Sequence, residues 1–300
     1  MKIAVIGSIN RDYTAQVKKL PEKGETVIAS NYNISLGGKG ANQAVAAKRL
    51  GADVYMIGAV GNFDNGEDIV KKLKEEGIDI SGILYTDEVT GNAMITIDES
   101  GFNTIVVYPG ANSKLDSFWI ERHSKIIEEA DFVILQLEIP LETVETAVKL
   151  SKKYNVKVIL NPAPACQLPD DLYRYIDIIT PNEVELAHLT GTTDVKKGAM
   201  KLVEKGVKKV IVTLGEKGSY YTDGYEEIFS EAISVNSIDS TAAGDSFNAA
   251  LAVALGEDMD IKSTLRFANI VGALTTTKIG AQDSLPYREE VEKLRIKLGE

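Results

Sequence analysis

Residues 132–160 read FVILQLEIPLETVETAVKLSKKYNVKVIL. The run from Phe132 to Leu137 is apolar except for Gln136, the pattern of a strand buried on both faces. Residues 141–154 then space their apolar side chains for a helix, and residues 156–160 form a second buried strand. Strand, helix and strand in so short a stretch make the unit of a parallel sheet, because parallel neighbours need a crossover long enough to hold a helix. The same alternation runs outward in both directions. Strand-like runs at residues 3–6, 54–60, 176–180 and 207–214 alternate with helix patterns at residues 40–50, 67–76 and 195–205, several closed by Gly or Asn. The fold class that follows is α/β, a doubly wound, mainly parallel sheet in one domain over residues 1–300.

Two segments break that rhythm. Residues 26–35 alternate without a helix, and residues 92–108 read as two strands, 93–97 and 104–108, joined by Glu99-Ser100-Gly101. They predict a small antiparallel sheet carried by lid segments at about residues 11–36 and 91–109. A sheet of that size cannot build its own core, so it is expected to close over a ligand and to pair with a second copy of the chain.

Composition narrows the function classes. The chain has 300 residues, 44% of them hydrophobic and 26% charged, enough for a sizeable core. A formal charge of -11 with no long basic run argues against a nucleic-acid partner. One cysteine, Cys166, and two histidines, His123 and His188, supply neither a disulfide framework nor a zinc set, and Cys166 is read as structural. The opening residues 2–7 enter a strand directly, and nowhere do about 18 apolar residues run together, so no membrane partner and a cytoplasmic location are expected.

In open parallel sheets ligands collect beyond the carboxyl ends of the strands. Asn10 and Asp12 follow the first strand there, with Glu138, Asn182, Glu185, Thr213 and Gly215 after later ones. A lone Asn or Asp at such a place is a turn or a helix cap, but a ring of polar residues on one rim is a candidate site. Familiar nucleotide motifs do not account for it. Gly37-Gly38-Lys39-Gly40 lacks the Ser or Thr that a P-loop places after its lysine, and no G-x-G-x-x-G follows the first strand. The segment Asp239-Ser240-Thr241-Ala242-Ala243-Gly244-Asp245-Ser246-Phe247-Asn248 is more telling. Small residues at a helix start leave backbone N–H groups bare at the positive end of the dipole, so Ala242, Ala243 and Gly244 predict an anion hole fit for a phosphoryl group. Asp245, in the first turn, is either a helix-stabilising acid or a base beside that hole.

That segment, together with Gly37-Gly38-Lys39-Gly40-Ala41-Asn42-Gln43, resembles the two signatures of the ribokinase-like, or phosphofructokinase-B-type, family of sugar kinases. The resemblance continues over essentially the whole chain through Gly7-Ser8-Ile9-Asn10-Arg11-Asp12, Gln136-Leu137-Glu138, Thr180-Pro181-Asn182-Glu183, Thr213-Leu214-Gly215 and Lys278-Ile279-Gly280-Ala281-Gln282. It implies ATP-dependent phosphorylation of D-ribose at the 5-hydroxyl, with Asp245 taking the hydroxyl proton. Carried over by motif, Asn10, Asp12, Gly38, Lys39, Asn42 and Glu138 are the implied sugar ligands. Asn182, Thr213, Leu214, Gly215, Glu216, Lys217, Gly218, Gly244 and Asn269 are the implied ATP contacts, and Asn182 with Glu185 would act on phosphate-bound Mg²⁺ through water. Glu183, beside them, is read as a helix cap. Asp239, Thr241, Thr275, Lys278, Gly280 and Ser284 match the family's K⁺ site, largely through main-chain oxygen. The implied assembly is a homodimer through the lid. A kinase for fructose, 2-keto-3-deoxygluconate or adenosine is the alternative within the family. A silent sugar sensor would have no need of Asp245, and a dehydrogenase ranks behind both.

Overall fold

The computed structural model of the chain describes residues 1–64, 66–100 and 102–299. Its strands are β1 (Lys2–Ile6), β2 (Asn10–Val17), β3 (Asn31–Gly37), β4 (Asp53–Gly61), β5 (Asp79–Thr86), β6 (Gly91–Asp98), β7 (Asn103–Tyr108), β8 (Phe132–Leu135), β9 (Lys157–Leu160), β10 (Ile178–Ile179), β11 (Lys209–Thr213), β12 (Gly218–Thr222) and β13 (Glu227–Glu231). Its helices are α1 (Lys39–Arg49), α2 (Gly66–Glu75), α3 (Ser117–Arg122), α4 (Ser124–Glu128), α5 (Leu141–Lys153), α6 (Glu183–Thr190), α7 (Val195–Glu204), α8 (Ala243–Gly256), α9 (Ile261–Thr275) and α10 (Arg288–Leu298).

The main sheet runs β13-β12-β11-β10-β9-β8-β1-β4-β5, parallel from β11 to β5, with β12 and β13 antiparallel at one edge. Strand residues alternate between two cores. Ile3 and Val5 pack with α1, α8 and α9, whereas Ala4 and Ile6 pack on the opposite face with α5, α6 and α7. The mainly parallel sheet expected from residues 132–160 therefore forms, and it explains why those strands are apolar throughout. The chain winds one way from β1 through β4 to β5 and the other way from β8 to β11. The topological switch lies between β1 and β8, the crevice where open sheets bind ligands.

The second sheet corrects the sequence reading in two ways. Its order is β3-β2-β6-β7, with β2–β6 parallel, so it is mixed rather than antiparallel. Its first lid strand is β2, which the alternation at residues 26–35 did not reveal; β3 begins at Asn31, and residues 26–29 lie outside any strand. Of the expected turn Glu99-Ser100-Gly101, Gly101 lies outside the described residues. Cross-strand partners share a face. Asp12, Ala93 and Val107 share one face, and Tyr13, Ile34, Met94 and Val106 share the other, which is largely apolar and exposed. No helix among the described residues is long and apolar enough to cross a membrane.

Candidate active site

The site is assembled by close backbone approach. The first turn of α1 sits directly on the link from β1 to β2: a Cβ on Gly40 would lie 2.6 Å from the carbonyl carbon of Gly7, and one on Gly38, whose φ is +86°, would lie 2.7 Å from the Asn10 nitrogen. Only glycine permits that contact, and at Gly38 only glycine adopts the backbone without strain. These glycines thus bring α1 against the strand ends. A Cβ on Gly37 would collide with the Asp12 carboxylate. Asn10 and Asp12 are not loop residues after β1; they lie at the start of β2, a strand of the second sheet.

α1 also packs on α8. This brings Lys39, Asn42 and Gln43 to Asp245, which the sequence separates by some two hundred residues. Asn42 Nδ2 donates to Asp245 Oδ2 at 2.9 Å, and Gln43 Nε2 donates to Asp245 Oδ1 at 3.1 Å. Glu138 Oε2 accepts from the Ser8 hydroxyl at 2.5 Å and from the Lys39 N–H at 3.2 Å. Asn112 accepts from the Ile9 N–H and donates to Asn10 Oδ1 at 2.8 Å, which fixes the amide of Asn10. Of the implied sugar ligands, Asp12, Lys39, Asn42 and Glu138 act on Asp245, while Gly38 packs against Asn10 on the β1–β2 side.

Charge is concentrated there. Burial pushes the Asp245 carboxyl above its ordinary range, against the pull of Lys39 and the amides of Asn42 and Gln43. Burial, with Glu138 and Asp245 nearby, pushes Asp12 up to about 7, and Lys39 only partly offsets it. Burial likewise raises Glu185. For the Lys39 ammonium burial acts downward, but Asp245, Glu138, Glu185 and Asp12 outweigh it and hold the group protonated. Asp12 Oδ1 and Asn42 Oδ1 are buried with no hydrogen-bond partner.

At the start of α8, Ala242 takes a left-handed φ of 60° as N-cap without a side-chain cap. The Ala243 N–H donates to the Ser240 carbonyl at 3.2 Å, so this expected member of the anion hole is occupied internally. The N–H groups of Gly244 and Asp245 make no hydrogen bond among the described residues, as the geometry of a first helical turn leaves them. A Cβ on Gly244 would meet nothing within 4 Å, so the approach to these groups is open.

The nucleotide-side residues form a second cluster. Asn182 caps α6 and closes a capping box with Glu185, donating and accepting at 2.8–3.0 Å. Glu183 is not the cap; it pairs with Lys217 at 3.7 Å. Thr213 bridges to Asn182, and residues 214–218 turn tightly, with the Leu214 N–H bonded to the Gly218 carbonyl. Glu216 and Lys217 are exposed on that turn. Asn269 is buried in α9 and directs Nδ2 at the Ser230 carbonyl and hydroxyl, so its donors hold β13 in place. Among the described residues no three His, Cys, Asp or Glu gather as a metal set.

Asp239 joins the remaining loops. Its Oδ1 accepts from the Thr241 N–H and hydroxyl, and its Oδ2 accepts from the Gly280 N–H at 2.9 Å. The Thr275 hydroxyl bonds the Ser246 hydroxyl at 2.7 Å, the Ser284 hydroxyl donates to the Ala281 carbonyl, and Lys278 pairs with Glu290. With the Thr275 and Ser284 hydroxyls and the Lys278 ammonium engaged, main-chain oxygens and the Asp239 carboxylate are what this region could offer a cation.

Sequence reasoning missed Ser8, Gln43, Asn112, Gln136 and Asn161. Ser8, Gln43 and Gln136 lie inside quoted motifs, and Gln136 is also the one polar residue in a buried strand run. Asn112 carries no comparable signal.

Residues 1–288 match the model of the pfkB family carbohydrate kinases. A ribokinase of Haemophilus influenzae is 42% identical over 294 residues, which cover 96% of each chain. The solved structure of a ribokinase from Thermotoga maritima is 37% identical with a TM-score of 0.89, covering 97% of this chain and 98% of that one. The structure of Arabidopsis thaliana ribokinase complexed with ribose and ATP is 35% identical with a TM-score of 0.91, covering 97% of each.

Proposed function

Because the chain belongs to the pfkB family of carbohydrate kinases, we propose that it transfers the γ-phosphoryl group of ATP to the 5-hydroxyl of D-ribose, with Asp245 as the base. The observation that carries the sugar half is the pair of buried, unpartnered oxygens, Asp12 Oδ1 and Asn42 Oδ1, beside that base. Each unmet acceptor costs about 1–3 kcal/mol. A pentose offers hydroxyl donors on several carbons, so its binding satisfies both at once, while Asn10 and Lys39 supply donors in return.

Phosphoryl transfer asks the protein for position and charge stabilisation more than for covalent chemistry. Asp245 accepts the hydroxyl proton, and its raised pKa makes it the stronger base once ionised. The free N–H groups of Gly244 and Asp245, at the positive end of α8, receive charge on the γ-phosphoryl oxygens. Lys39 offsets part of the negative charge of the acid-rich pocket. Asn182 and Glu185 would hold the hydration shell of Mg²⁺ on the phosphates, which neutralises charge there; Thr213, the turn 214–218 and Asn269 line the nucleotide side. K⁺ near Asp239 and a homodimer through the lid, in a cytoplasmic enzyme, complete the reading. An ADP-release assay with ribose, deoxyribose, fructose and adenosine tests it. Ribose should lead in kcat/KM by roughly tenfold or more, since a lost hydroxyl partner costs that much. Fastest turnover of fructose or adenosine would overturn the substrate.

A further inference from the structure

Two glutamines that this reaction does not use lie behind the base. Gln43 and Gln136 are both completely buried. Gln136 donates from Nε2 to Gln43 Oε1 at 2.6 Å, which leaves Gln43 its donor edge to present forward. That edge donates to Asp245 Oδ1 at 3.1 Å and to Asn161 Oδ1 at 3.4 Å. With Asn42 on Asp245 Oδ2, the carboxylate is held at both oxygens. Polarity matters here, because a primary amide has a donor edge and an acceptor edge. Gln43 turned about would set its oxygen against a carboxylate oxygen, and the bond from Gln136 forbids that turn.

Packing gives no reason for glutamine at 136. Its Oε1 is buried without a partner and lies over Gly7, where a Cβ would come within 1.9 Å of it. An unpaired buried carbonyl is destabilising, and an apolar side chain of similar size would avoid it. The same network reaches the helix end. Asn161 Nδ2 donates to the Thr180 carbonyl at 3.2 Å, the Thr180 hydroxyl donates to Asn248 Oδ1 at 2.6 Å, and Asn248 Nδ2 donates to the Gly244 carbonyl at 2.8 Å. That carbonyl belongs to the peptide whose N–H is Asp245's own. Base and phosphoryl-binding peptide are thus located by one set of side chains.

We propose that Gln136 and Gln43 are positioning residues for phosphoryl transfer: a two-amide relay from the end of β8 through α1 that fixes the donor edge of Gln43 on Asp245 and so aims the carboxylate at the sugar. The inference rests on Asp245 being the base. Neither glutamine touches substrate, so the relay acts on the rate and leaves sugar binding alone.

The test is steady-state kinetics of Gln43→Met and Gln136→Met beside Asp245→Asn. Gln43→Met should lower kcat by roughly 10–100-fold, the scale of a misaligned reacting group, with ribose KM within about twofold. Gln136→Met should lower kcat by about tenfold while its Tm equals or exceeds that of the unmodified enzyme. The acid limb of the kcat–pH profile should move to higher pH in Gln43→Met, because the ionised carboxylate loses a donor. Lys39, Asp12, Glu138 and Glu185, the other charged groups acting on Asp245, remain in place. Unchanged kcat and acid limb in folded Gln43→Met overturn the relay, and so does a loss confined to ribose KM. Should Gln43→Met not fold, Gln136→Met, one bond farther from the base, decides by the same criteria. Near-normal kcat in Asp245→Asn would remove the base itself, whereas an inactive Asp245→Asn beside unaffected glutamine variants removes the relay alone.

Discussion

On the sugar side of the crevice Asp12 and Asn42 each bury an oxygen with no partner, whereas on the nucleotide side Asn182 and Glu185 satisfy each other in a capping box open to solvent. The first arrangement is incomplete until a ligand arrives, because its buried oxygens have no partner in the protein. The second is complete on its own, and water can replace any group removed from it. Substitutions on the sugar side should therefore have large and specific effects, and those on the nucleotide side smaller ones.

The largest effect belongs to Asp245. Asp245→Asn keeps the size of the side chain and both amide neighbours but cannot take a proton. It should lower kcat by roughly 10²–10⁴ while ATP and ribose still bind. Glu185→Gln, across the crevice, should cost about tenfold or less, because a carboxylate that acts through water is more easily replaced. Equal losses from the two, measured side by side, would break the comparison.

Asp12 sharpens it by separating function from stability. Its carboxyl sits up to about 7 in the fold against an ordinary value of 3.8. A raised carboxyl favours the folded state fully below pH 3.8, and that contribution disappears as pH rises through about 7. The ligand-free protein should thus be less stable at pH 8 than at pH 5 by about 1–3 kcal/mol, a range discounted for the counter-charge of Lys39. Asp12→Asn should remove much of that slope in urea unfolding and weaken ribose by roughly tenfold. A slope unchanged in the variant would place the strain elsewhere; an unchanged ribose Kd would take Asp12 out of the pocket.

The main sheet was legible because buried parallel strands need uninterrupted apolar runs, and residues 132–160 leave little other choice. The lid was half legible. β6 and β7 alternate as a hairpin should, but β2 carries Asn10 and Asp12, whose polarity belongs to the crevice, with Arg11 between them on the other face, and so hides the strand. The rim residues were readable singly from the rule for open sheets. Their meeting was not: Asn42 and Gln43 reach Asp245 only because α1 packs on α8, a contact no local pattern encodes. The glycines before α1 were visible as motif, yet their reason, backbone against backbone at Gly7 and Asn10, exists only in three dimensions. Asn182 and Glu185 show how one spacing can be read two ways, since the pair implied to act on Mg²⁺ forms the capping box of α6.

The lid extends the comparison beyond the crevice. Its inner face bears Asp12, and its outer face bears Tyr13, Ile34, Met94 and Val106 with no core beneath them. Ribose should slow amide exchange in β2, β3 and β6 by about tenfold or more, because ligation of Asn10 and Asp12 anchors that sheet. The chain should sediment as a dimer at micromolar concentration, and Val106→Lys should shift it to monomer by burying a charge in the contact. Exchange unaffected by ribose argues against closure, and a monomeric unmodified chain argues against pairing.

The smallest effect expected is from a monovalent cation, and its path to the chemistry is indirect. Asp239 ties the loop before α8 to Gly280, and Thr275 is bonded to Ser246 in the first turn of α8, one residue after the base. A cation held by main-chain oxygens of residues 275–284 with Asp239 would stiffen both supports and add positive potential behind the N–H groups that receive the phosphoryl charge. K⁺ suits such a ring, since carbonyl oxygens can stand in for its weakly held water, whereas Mg²⁺ demands tight octahedral geometry. Nothing in this path touches substrate, so activation should be a few-fold change in kcat with little change in ribose KM; losing a direct donor from a preorganised hole costs roughly 10²–10³, and an indirect support should cost far less. The measurement is initial rate against KCl at constant ionic strength, with NaCl or tetramethylammonium chloride as replacement. Equal rates in all three salts would remove the cation from the mechanism. Asp239→Ala should lower the rate and abolish the response to K⁺ together if the carboxylate that joins the loops also faces the ion; a variant that is slower yet still activated by K⁺ would leave Asp239 as a structural tie and move the ion elsewhere.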